Sequence, residues 1–277
     1  MLTAERKAAL DPPIANHRWL AWLGGASAAA ALLLVLLDLA EAPRGSRLDR
    51  SADGYAVLLL PRVDLHLHTS ASFDCRIEPE LVLERCRILG LGPVAVTDHD
   101  TIAAAAQLKR LAPHAIVVGQ EITMATGELI GLFMEQSVAG GLTARETALR
   151  IRDQGGLVYL QHPYDRFRRR CGEEAIESIS DLIDVVEVYN GRSEEEANSR
   201  AEELCESLGA TAGAGSDAHS LRELGSVYIE MEAFTGAQDF LQRLSEGRIV
   251  RRPNRFRLRL DAGLRAWRGE RHSALGP

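Results

Sequence analysis

The chain alternates short apolar runs with segments in which apolar residues recur every three or four positions. The runs predict strands at residues 63–68, 93–99, 115–122, 128–134, 156–162, 184–190, 210–217 and 226–231. Between most of these strands, the helical spacing predicts helices at residues 79–89, 101–111, 143–154, 193–208 and 237–244. Strands joined by helices are typical of parallel sheets. The pattern therefore predicts an α/β fold, either a barrel or an open doubly wound sheet.

An uncharged apolar run at residues 19–37 precedes this pattern. As a helix the run would be about 28 Å long, close to the hydrocarbon thickness of a bilayer. We predict a transmembrane helix at residues 19–37 within a leader of residues 1–41. A signal peptide ending near Ala42 and a translation start downstream of the leader are the alternatives. Three basic residues lie on each side of the run, so the positive-inside rule does not orient the helix.

The cysteines favour a reducing compartment. Cys75, Cys86, Cys171 and Cys205 form no CxxC pair and show no regular spacing, which argues against a disulfide framework and a zinc ribbon. We therefore expect a single-pass membrane protein whose main domain lies in the cytoplasm. If translation starts downstream of the leader, the protein is soluble and cytoplasmic.

The formal charge of −7 is unevenly distributed. Residues 248–277 carry nine arginines against Asp261 and Glu270, a charge of +7, so the rest of the chain carries −14. We predict a polar linker at residues 42–54, a main domain at residues 55–247 and a basic tail at residues 248–277. The tail has two interpretations: it binds phosphate backbones or an anionic membrane face, or its apolar stripe packs a last helix on the domain.

Residues suited to metal binding follow the predicted strands. His66 and His68 are two positions apart on one strand, so they share a face and can reach the same ion. The ends of parallel strands converge on one mouth, where active sites lie. The residues expected at this mouth are His66, His68, Asp74, Asp98, His99, Glu121, His162, Asp217 and His219.

This set of residues exceeds what one ion requires. Two or three divalent ions that share bridging carboxylates would accommodate it. Clustered divalent ions lower the pKa of bound water and neutralise charge on a phosphoryl group. The chain has no GxGxxG and no GxxxxGK[ST] motif, so a glycine loop for nucleotide binding has no support.

Six motifs follow one another along the chain: DLHLHTSASFD (64–74), AVTDHDT (95–101), GQEI (119–122), YLQHPYDRFR (159–168), VEVYNGR (186–192) and GSDAH (215–219). With these motifs in this order, residues 63–234 resemble the PHP (polymerase and histidinol phosphatase) family of metal-dependent phosphoesterases. The resemblance implies a distorted (β/α)7 barrel that binds up to three ions of manganese, zinc or iron.

The family's pattern also implies a ligand set. One ion would be held by His66, His68, Glu121 and Asp217. Glu121 and His162 would contribute to a second ion, and a third would be held by Asp74, His99 and His219. Many relatives carry a histidine where this chain has Glu128. Glu128 can bind a hard cation through oxygen, so the second ion is either retained with an altered preference or absent.

Positive and amide side chains near the mouth are candidates for substrate binding. Arginine suits phosphate because its planar fork pairs with two oxygens at once. We predict substrate contacts from Arg168, Asn190 and Arg192; a solvated arginine loop that pairs with nearby glutamates is the alternative. Asp98 and Asp100 are expected to orient their neighbour His99.

These observations predict hydrolysis of phosphoesters by a metal-activated water at a site of two or three ions. The substrate would be a phosphorylated small molecule, a nucleotide or the end of a short nucleic acid. The expected catalytic residues are His66, His68, His99, Asp217 and His219. Two alternatives remain: an amidohydrolase-type enzyme that cleaves C–N bonds, and a membrane-tethered metal-binding regulatory module with little catalysis.

Overall fold

A computed structural model of the chain describes residues 60–252, which lie in one compact unit. The strands in this range are β1 Arg62–Leu67, β2 Val94–Val96, β3 Ile116–Thr123, β4 Glu128–Leu132, β5 Leu157–Leu160, β6 Val185–Asn190, β7 Thr211–Gly215, β8 Val227–Glu230 and β9 Arg248–Arg251. The helices are α1 Pro79–Leu89, α2 Ala103–Leu111, α3 Ala144–Arg152, α4 Glu173–Ser178, α5 Glu195–Leu208 and α6 Gly236–Ser245. The predicted alternation of strands and helices is confirmed.

The strands form one sheet that nearly closes into a barrel. Its order is β7-β6-β5-β4-β3-β2-β1-β8-β9. Strands β1 to β3 are parallel to one another, as are β5 to β7, and β4 runs antiparallel to both of its neighbours. Beyond β7, Ala218 forms a parallel bridge with Leu67, and the Asp217 N–H donates to the His66 carbonyl at 2.7 Å. The prediction of an α/β fold is confirmed. Of the two predicted architectures, a barrel and an open doubly wound sheet, the structure has a nearly closed barrel.

The reversed strand β4 has a direct effect on the site. No helix separates β3 from β4, and the pair is in register with Thr123 opposite Glu128. Because β4 runs in the opposite direction, its first residue lies beside the last residue of β3. Glu128 is therefore at the same end of the barrel as the C-termini of the parallel strands.

Apolar side chains fill the barrel and the space between strands and helices. Helix α6 contributes Phe240 and Leu244 to a cluster with Val63, Leu65 and Tyr159 of the strands. Other clusters join α1 and α2 to β1–β3, and α3, α4 and α5 to β4–β6. All four cysteines are buried, and none is in a disulfide. This packed scaffold fixes the strand ends that carry the site.

The first four residues of the predicted basic tail belong to the sheet. Residues 248–251 form β9, which pairs antiparallel with β8. Two apolar residues, Ile249 and Val250, lie between arginines and are half-buried, so the segment adds a strand to the sheet despite its charge. Helix α4 was also missed. The remainder of the tail, residues 253–277, lies outside the described residues.

Across residues 60–252, no helix has the length and apolar character needed to cross a membrane. The predicted transmembrane helix at residues 19–37, the leader and the linker at residues 42–54 lie outside the described residues. Membrane anchoring and a cytoplasmic location therefore stay predictions.

Candidate metal centre

Nine predicted metal ligands meet at one end of the barrel. They form four overlapping groups of three residues, and within each group the donor atoms lie within 4.8 Å of one another. The groups are His66/His68/Glu121, His66/His162/Asp217, His68/Asp74/His219 and His99/Glu121/Glu128. Because the groups share members, they form a single cluster, which we call the metal centre.

The histidine pair of β1 lies at the middle of the metal centre. The Nε2 atoms of His66 and His68 are 3.1 Å apart. Glu121 Oε2 lies 3.4 Å from His66 Nε2 and 3.2 Å from His68 Nε2. Asp217 Oδ1 lies 3.6 Å and 3.5 Å from the same two atoms. These four buried side chains point their donor atoms at one position, as the sequence analysis expected.

Glu121 joins this group to the rest of the centre. While its Oε2 faces the histidine pair, its Oε1 lies 3.2 Å from His162 Nε2 and accepts a hydrogen bond from Gln161 Nε2 at 3.0 Å. Glu121 Oε2 also lies 3.6 Å from His99 Nε2. A carboxylate whose two oxygens face different donors is placed to bridge two ions, the role that the family resemblance implies.

The outer edge of the centre is formed by Asp74, His99 and His219. Asp74 Oδ2 lies 2.9 Å from His219 Nε2 and 3.4 Å from His99 Nε2. On the other side of His99, Glu128 Oε1 is 3.8 Å from the ring nitrogen Nδ1. Glu128 therefore lies with the proposed ligands, beside His99 and Glu121.

Two of these residues adopt a backbone conformation that is unfavourable for side chains with a Cβ. The φ angles of His162 and Asp217 are 29° and 50°. Such angles are uncommon outside glycine and cluster at functional sites. Hydrogen bonds hold both residues: the His162 N–H donates to Glu187 Oε2 at 2.9 Å, and the Asp217 N–H donates to the His66 carbonyl. The scaffold thus maintains the strain that aims both side chains into the centre.

The donor atoms fit bound cations. Four buried side-chain polar atoms of the described residues have no hydrogen-bond partner, and three of them are in the centre: His99 Nδ1, His162 Nδ1 and Asp217 Oδ1. An unpaired buried polar group is costly, and native structures contain few of them. A divalent cation would accept their lone pairs. A mixture of imidazole and carboxylate donors suits zinc, iron and manganese.

The charges in the metal centre also fit bound cations. Burial alone would lower the pKa of His66, but the carboxylates of Asp217, Glu187 and Glu121 raise it well above its usual value. Burial likewise opposes protonation of His68, yet Asp217 and Glu121 raise its pKa to about 9. Without a cation, protons on the histidines supply the positive charge that the carboxylates require. Divalent ions would replace those protons on binding.

This electrostatic arrangement predicts that the metal-free protein loses stability as pH rises. Folding raises the pKa of His68 from 6.5 to about 9, so its stabilising contribution is complete below pH 6.5 and is lost as pH rises towards 9. Between pH 7 and 8.5 the loss of the His68 contribution should lower the free energy of unfolding by on the order of 2 kcal/mol, and His66, whose pKa is also raised, should add to this fall. Chemical denaturation of chelator-treated protein measures it.

The matched variants for this measurement are two histidine replacements. His68→Gln should remove the share of the slope that His68 contributes, about 2 kcal/mol over this range, whereas the exposed His114→Gln should keep the whole slope. A free energy of unfolding that does not change over this pH range in the wild-type protein would contradict the assigned electrostatics.

Glu187 is a buried residue of the site that the sequence analysis missed. Its Oε1 accepts from His66 Nδ1 at 3.1 Å and from the Tyr159 hydroxyl at 3.0 Å. Its Oε2 accepts from the His162 N–H and from Asn190 Nδ2, each at 2.9 Å. The available signal was a charged residue inside the apolar run VVEV, because a buried carboxylate requires partners.

Glu187 is placed to orient His66, a candidate metal ligand, through the ring nitrogen Nδ1. A carboxylate that accepts from one ring nitrogen leaves the other nitrogen free to bind metal. We therefore expect Glu187→Gln to weaken metal affinity by about 10- to 100-fold, because the amide cannot accept all four hydrogen bonds. Competition of the bound metal against a chromophoric chelator measures the affinity. The exposed Glu177→Gln is the control, and an unchanged affinity in Glu187→Gln would rule out this role.

The hydrogen bonds of Asp98 and Asp100 go to residues other than His99. Asp98 accepts from the Thr69 N–H at 2.6 Å and from the Thr69 hydroxyl at 2.7 Å, while Asp100 accepts from the Thr123 N–H at 2.8 Å. The His99 N–H is instead held by Ser72 Oγ at 3.0 Å, and that hydroxyl also lies 3.2 Å from His68 Nδ1. The two aspartates fix the backbone of the strand ends, and Ser72 connects the two histidines.

Of the three predicted substrate contacts, Asn190 is fully engaged within the protein. Its Nδ2 donates to Glu187 Oε2 and to Asp217 Oδ2 at 3.3 Å, and its Oδ1 accepts from the N–H groups of Arg192 and Ser193. It is also buried. The structure therefore does not support a substrate contact by Asn190. Instead, the Asn190 amide helps to position Asp217.

Arg168 and Arg192 lie at the edge of the metal centre, where they were predicted. The Arg168 guanidinium is 3.0 Å from Asp217 Oδ2, and Arg192 NH1 is 2.5 Å from His219 Nδ1. Their side chains are 23% and 30% exposed. Both guanidinium groups therefore lie between the buried ligands and solvent.

Known proteins resemble this chain in sequence. Residues 195–249 match the model of the family described as PHP-associated. The chain is also 36% identical over 174 residues to the uncharacterized protein MJ0417 of Methanocaldococcus jannaschii. That alignment covers 61% of this chain and 70% of the archaeal protein.

Two solved structures share the fold at low sequence identity. A two-domain protein from Bacteroides vulgatus, described as containing a predicted PHP-like metal-dependent phosphoesterase, has a TM-score of 0.56 and 16% identity, over 69% of this chain and 65% of its own. The lesion-specific endonuclease PfuEndoQ from Pyrococcus furiosus has a TM-score of 0.54 and 13% identity, over 69% of this chain and 58% of its own. This chain thus spans less than two thirds of either protein. The family-model match, together with the motifs and the shared barrel, shows that the chain belongs to the PHP family.

Proposed function

We propose that this protein is a metal-dependent phosphoesterase that hydrolyses its substrate with a metal-activated water at a site of two or three ions. The observation that carries the proposal is the metal centre itself, in which four overlapping ligand groups share His66, His68 and Glu121. Bound divalent ions would lower the pKa of a coordinated water and neutralise charge on a phosphoryl group. Manganese, zinc and iron suit the donor set.

The residues of the chain divide into two roles in this proposal. One ion would be held by His66, His68, Glu121 and Asp217. Further ions would be held by the remaining candidate ligands: Asp74, His99, Glu128, His162 and His219. The number of ions depends on Glu128. Burial and the adjacent charge of Glu121 raise the pKa of Glu128. A cation shared with His99 would offset both effects, which supports Glu128 as a ligand.

Arg168 and Arg192 are proposed to bind the phosphoryl oxygens. Both guanidinium groups border the ligands and both are partly open to solvent. A planar guanidinium pairs with two phosphate oxygens and keeps its charge at every relevant pH. The two arginines would therefore orient the phosphoryl group and stabilise the negative charge that develops on it.

The substrate is proposed to be a phosphomonoester, a nucleotide or the end of a nucleic acid. One structural neighbour is a lesion-specific endonuclease, which supports the nucleotide or nucleic-acid class. Hydrolysis of a panel consisting of 4-nitrophenyl phosphate, AMP and a 5′-phosphorylated oligonucleotide, each with added Mn²⁺, tests the proposal. Release of phosphate that is lost in His66→Ala and kept in His114→Ala would support it. If the protein binds metal but hydrolyses none of these phosphoesters, the alternative of a metal-binding regulatory module with little catalysis would be favoured.

The amidohydrolase alternative lacks a required residue in the described part of the chain. Lys109 is the only lysine beyond the leader, and enzymes of that type normally use a bridging lysine. Lys109 is on α2 and donates to the Ile116 carbonyl at 2.7 Å, at the start of β3. Since the metal centre lies at the other end of the strands, this lysine is not a ligand.

A further inference from the structure

A phenylalanine ring projects from the protein beside the metal centre. Phe73 follows β1 in the loop that carries Asp74, and its side chain is 83% exposed. Its ring centroid lies 4.8 Å from that of His99, with an angle of 31° between the planes. The outward face of the phenyl ring is therefore open to solvent, while the other face lies over a candidate metal ligand.

The loop that presents Phe73 is held on both sides. Ser72 precedes it and contacts both His68 Nδ1 and the His99 N–H. Asp74 follows it and contacts His99 and His219. The position of the phenyl ring is thus fixed by the same residues that build the centre.

Packing does not explain why an aromatic residue is present here. Phe73 is the most exposed large hydrophobic residue in the described range; Phe167, the next, is 72% exposed and lies under its neighbour Arg166. A ring with so little buried surface contributes little to folding. An exposed, pre-positioned aromatic face at the mouth of a site is the feature with which proteins stack nucleobases.

We propose that Phe73 stacks against a nucleobase of the substrate, so that a nucleoside phosphate is preferred over the sugar phosphate that lacks the base. The inference rests on the proposed function, because it assumes that the phosphoryl group occupies the metal centre and contacts Arg168 and Arg192. With the phosphoryl group held there, the base extends towards the rim and covers the open face of Phe73. This arrangement selects for any base, since every base has a flat π-face.

The test compares AMP with ribose 5-phosphate, which carries the same phosphoester without the base. Stacking on one aromatic residue is worth about 10-fold or more in binding. Phe73→Ala should lower kcat/KM for AMP by about 10-fold and leave that for ribose 5-phosphate within about twofold. Phe73→Trp should keep the preference for AMP. Phe73→Leu should lose the preference for AMP, because leucine still covers His99 with an apolar side chain but has no flat face.

The matched control is Leu111→Ala. Leu111 is also an exposed apolar residue, but it ends α2, next to the start of β3 and away from the metal centre. Leu111→Ala should leave kcat/KM for both AMP and ribose 5-phosphate unchanged. Equal loss for AMP and ribose 5-phosphate in Phe73→Ala would overturn the proposal and give Phe73 the structural role of covering His99.

Calorimetric binding of AMP and ribose 5-phosphate to the Mn²⁺-loaded protein separates this inference from the proposed function. If neither compound is hydrolysed but AMP binds about 10-fold more tightly in a manner that depends on Phe73, the stacking site stands and the phosphoesterase proposal fails. If both are hydrolysed but bind equally well to the wild-type protein, the phosphoesterase proposal stands and the stacking site is overturned. If neither AMP nor ribose 5-phosphate binds, the stacking site is overturned as well.

Discussion

Replacing Asp217 with asparagine is expected to lower the rate of phosphoester hydrolysis by about 1,000-fold or more. Asp217 Oδ1 is buried without a hydrogen-bond partner and lies 3.5 to 3.6 Å from the Nε2 atoms of His66 and His68. Burial alone would raise the pKa of Asp217, but His66, His68 and Arg168 hold it well below its usual value, so the carboxylate is ionised. Asparagine keeps the shape and removes the charge that a divalent ion requires.

This prediction is measured as kcat at saturating Mn²⁺ and substrate. Asp153→Asn, an exposed change of the same chemistry after α3, should retain wild-type activity. Circular dichroism and thermal unfolding establish that the Asp217→Asn protein is folded. A folded Asp217→Asn protein with more than about a tenth of the wild-type rate would remove Asp217 from the proposed ligands.

Gly215→Ala is expected to destabilise the protein strongly. A Cβ at this position would lie 2.3 Å from the Cβ of His66, 2.8 Å from Glu187 Oε1 and 2.9 Å from the His66 nitrogen. Backbone atoms of β1 cannot move away without disturbing the closure of the barrel. Overpacking of this kind typically costs about 1 to 3 kcal/mol, and the backbone contact places this change at or above the upper value.

Denaturant unfolding of the metal-free protein measures this cost, and titration with Mn²⁺ measures the accompanying loss of metal affinity. Gly172→Ala provides the matched control, because a Cβ there meets no atom within 4 Å and the backbone angle suits alanine. A Gly215→Ala protein as stable as Gly172→Ala would mean that β1 and β7 are farther apart than the structure shows.

The positions of the candidate ligands were predictable because they depend on topology. Parallel strands bring their C-termini to one mouth whatever their side chains, so a histidine or carboxylate that ends a predicted strand is placed by the strand itself. His66 and His68 were predicted to share an ion from a two-residue spacing, and their Nε2 atoms are 3.1 Å apart. The resemblance to the PHP family supplied the grouping of the ligands.

The supporting contacts were not predictable, because they join residues that are distant in the sequence through side-chain geometry. Glu187 and His66 are 121 positions apart, and no local pattern pairs them. Asp98 was expected to orient its neighbour His99, yet it bonds Thr69, 29 positions away. The strand β9 was missed because its arginines resembled the tail that follows. Charge at the ends of a short edge strand is compatible with pairing.

The central claim is that hydrolysis depends on ions held by these residues. The most direct measurement is the rate of phosphate release from chelator-treated protein as Mn²⁺ is added back, with bound metal determined in the same samples. The account predicts no release without metal, and a rate that rises until two or three ions are bound per chain in the wild type. In Asp217→Asn the rate should stay near zero at every Mn²⁺ concentration. Phosphate release that is unaffected by chelation, or that is absent at full metal occupancy, would contradict it.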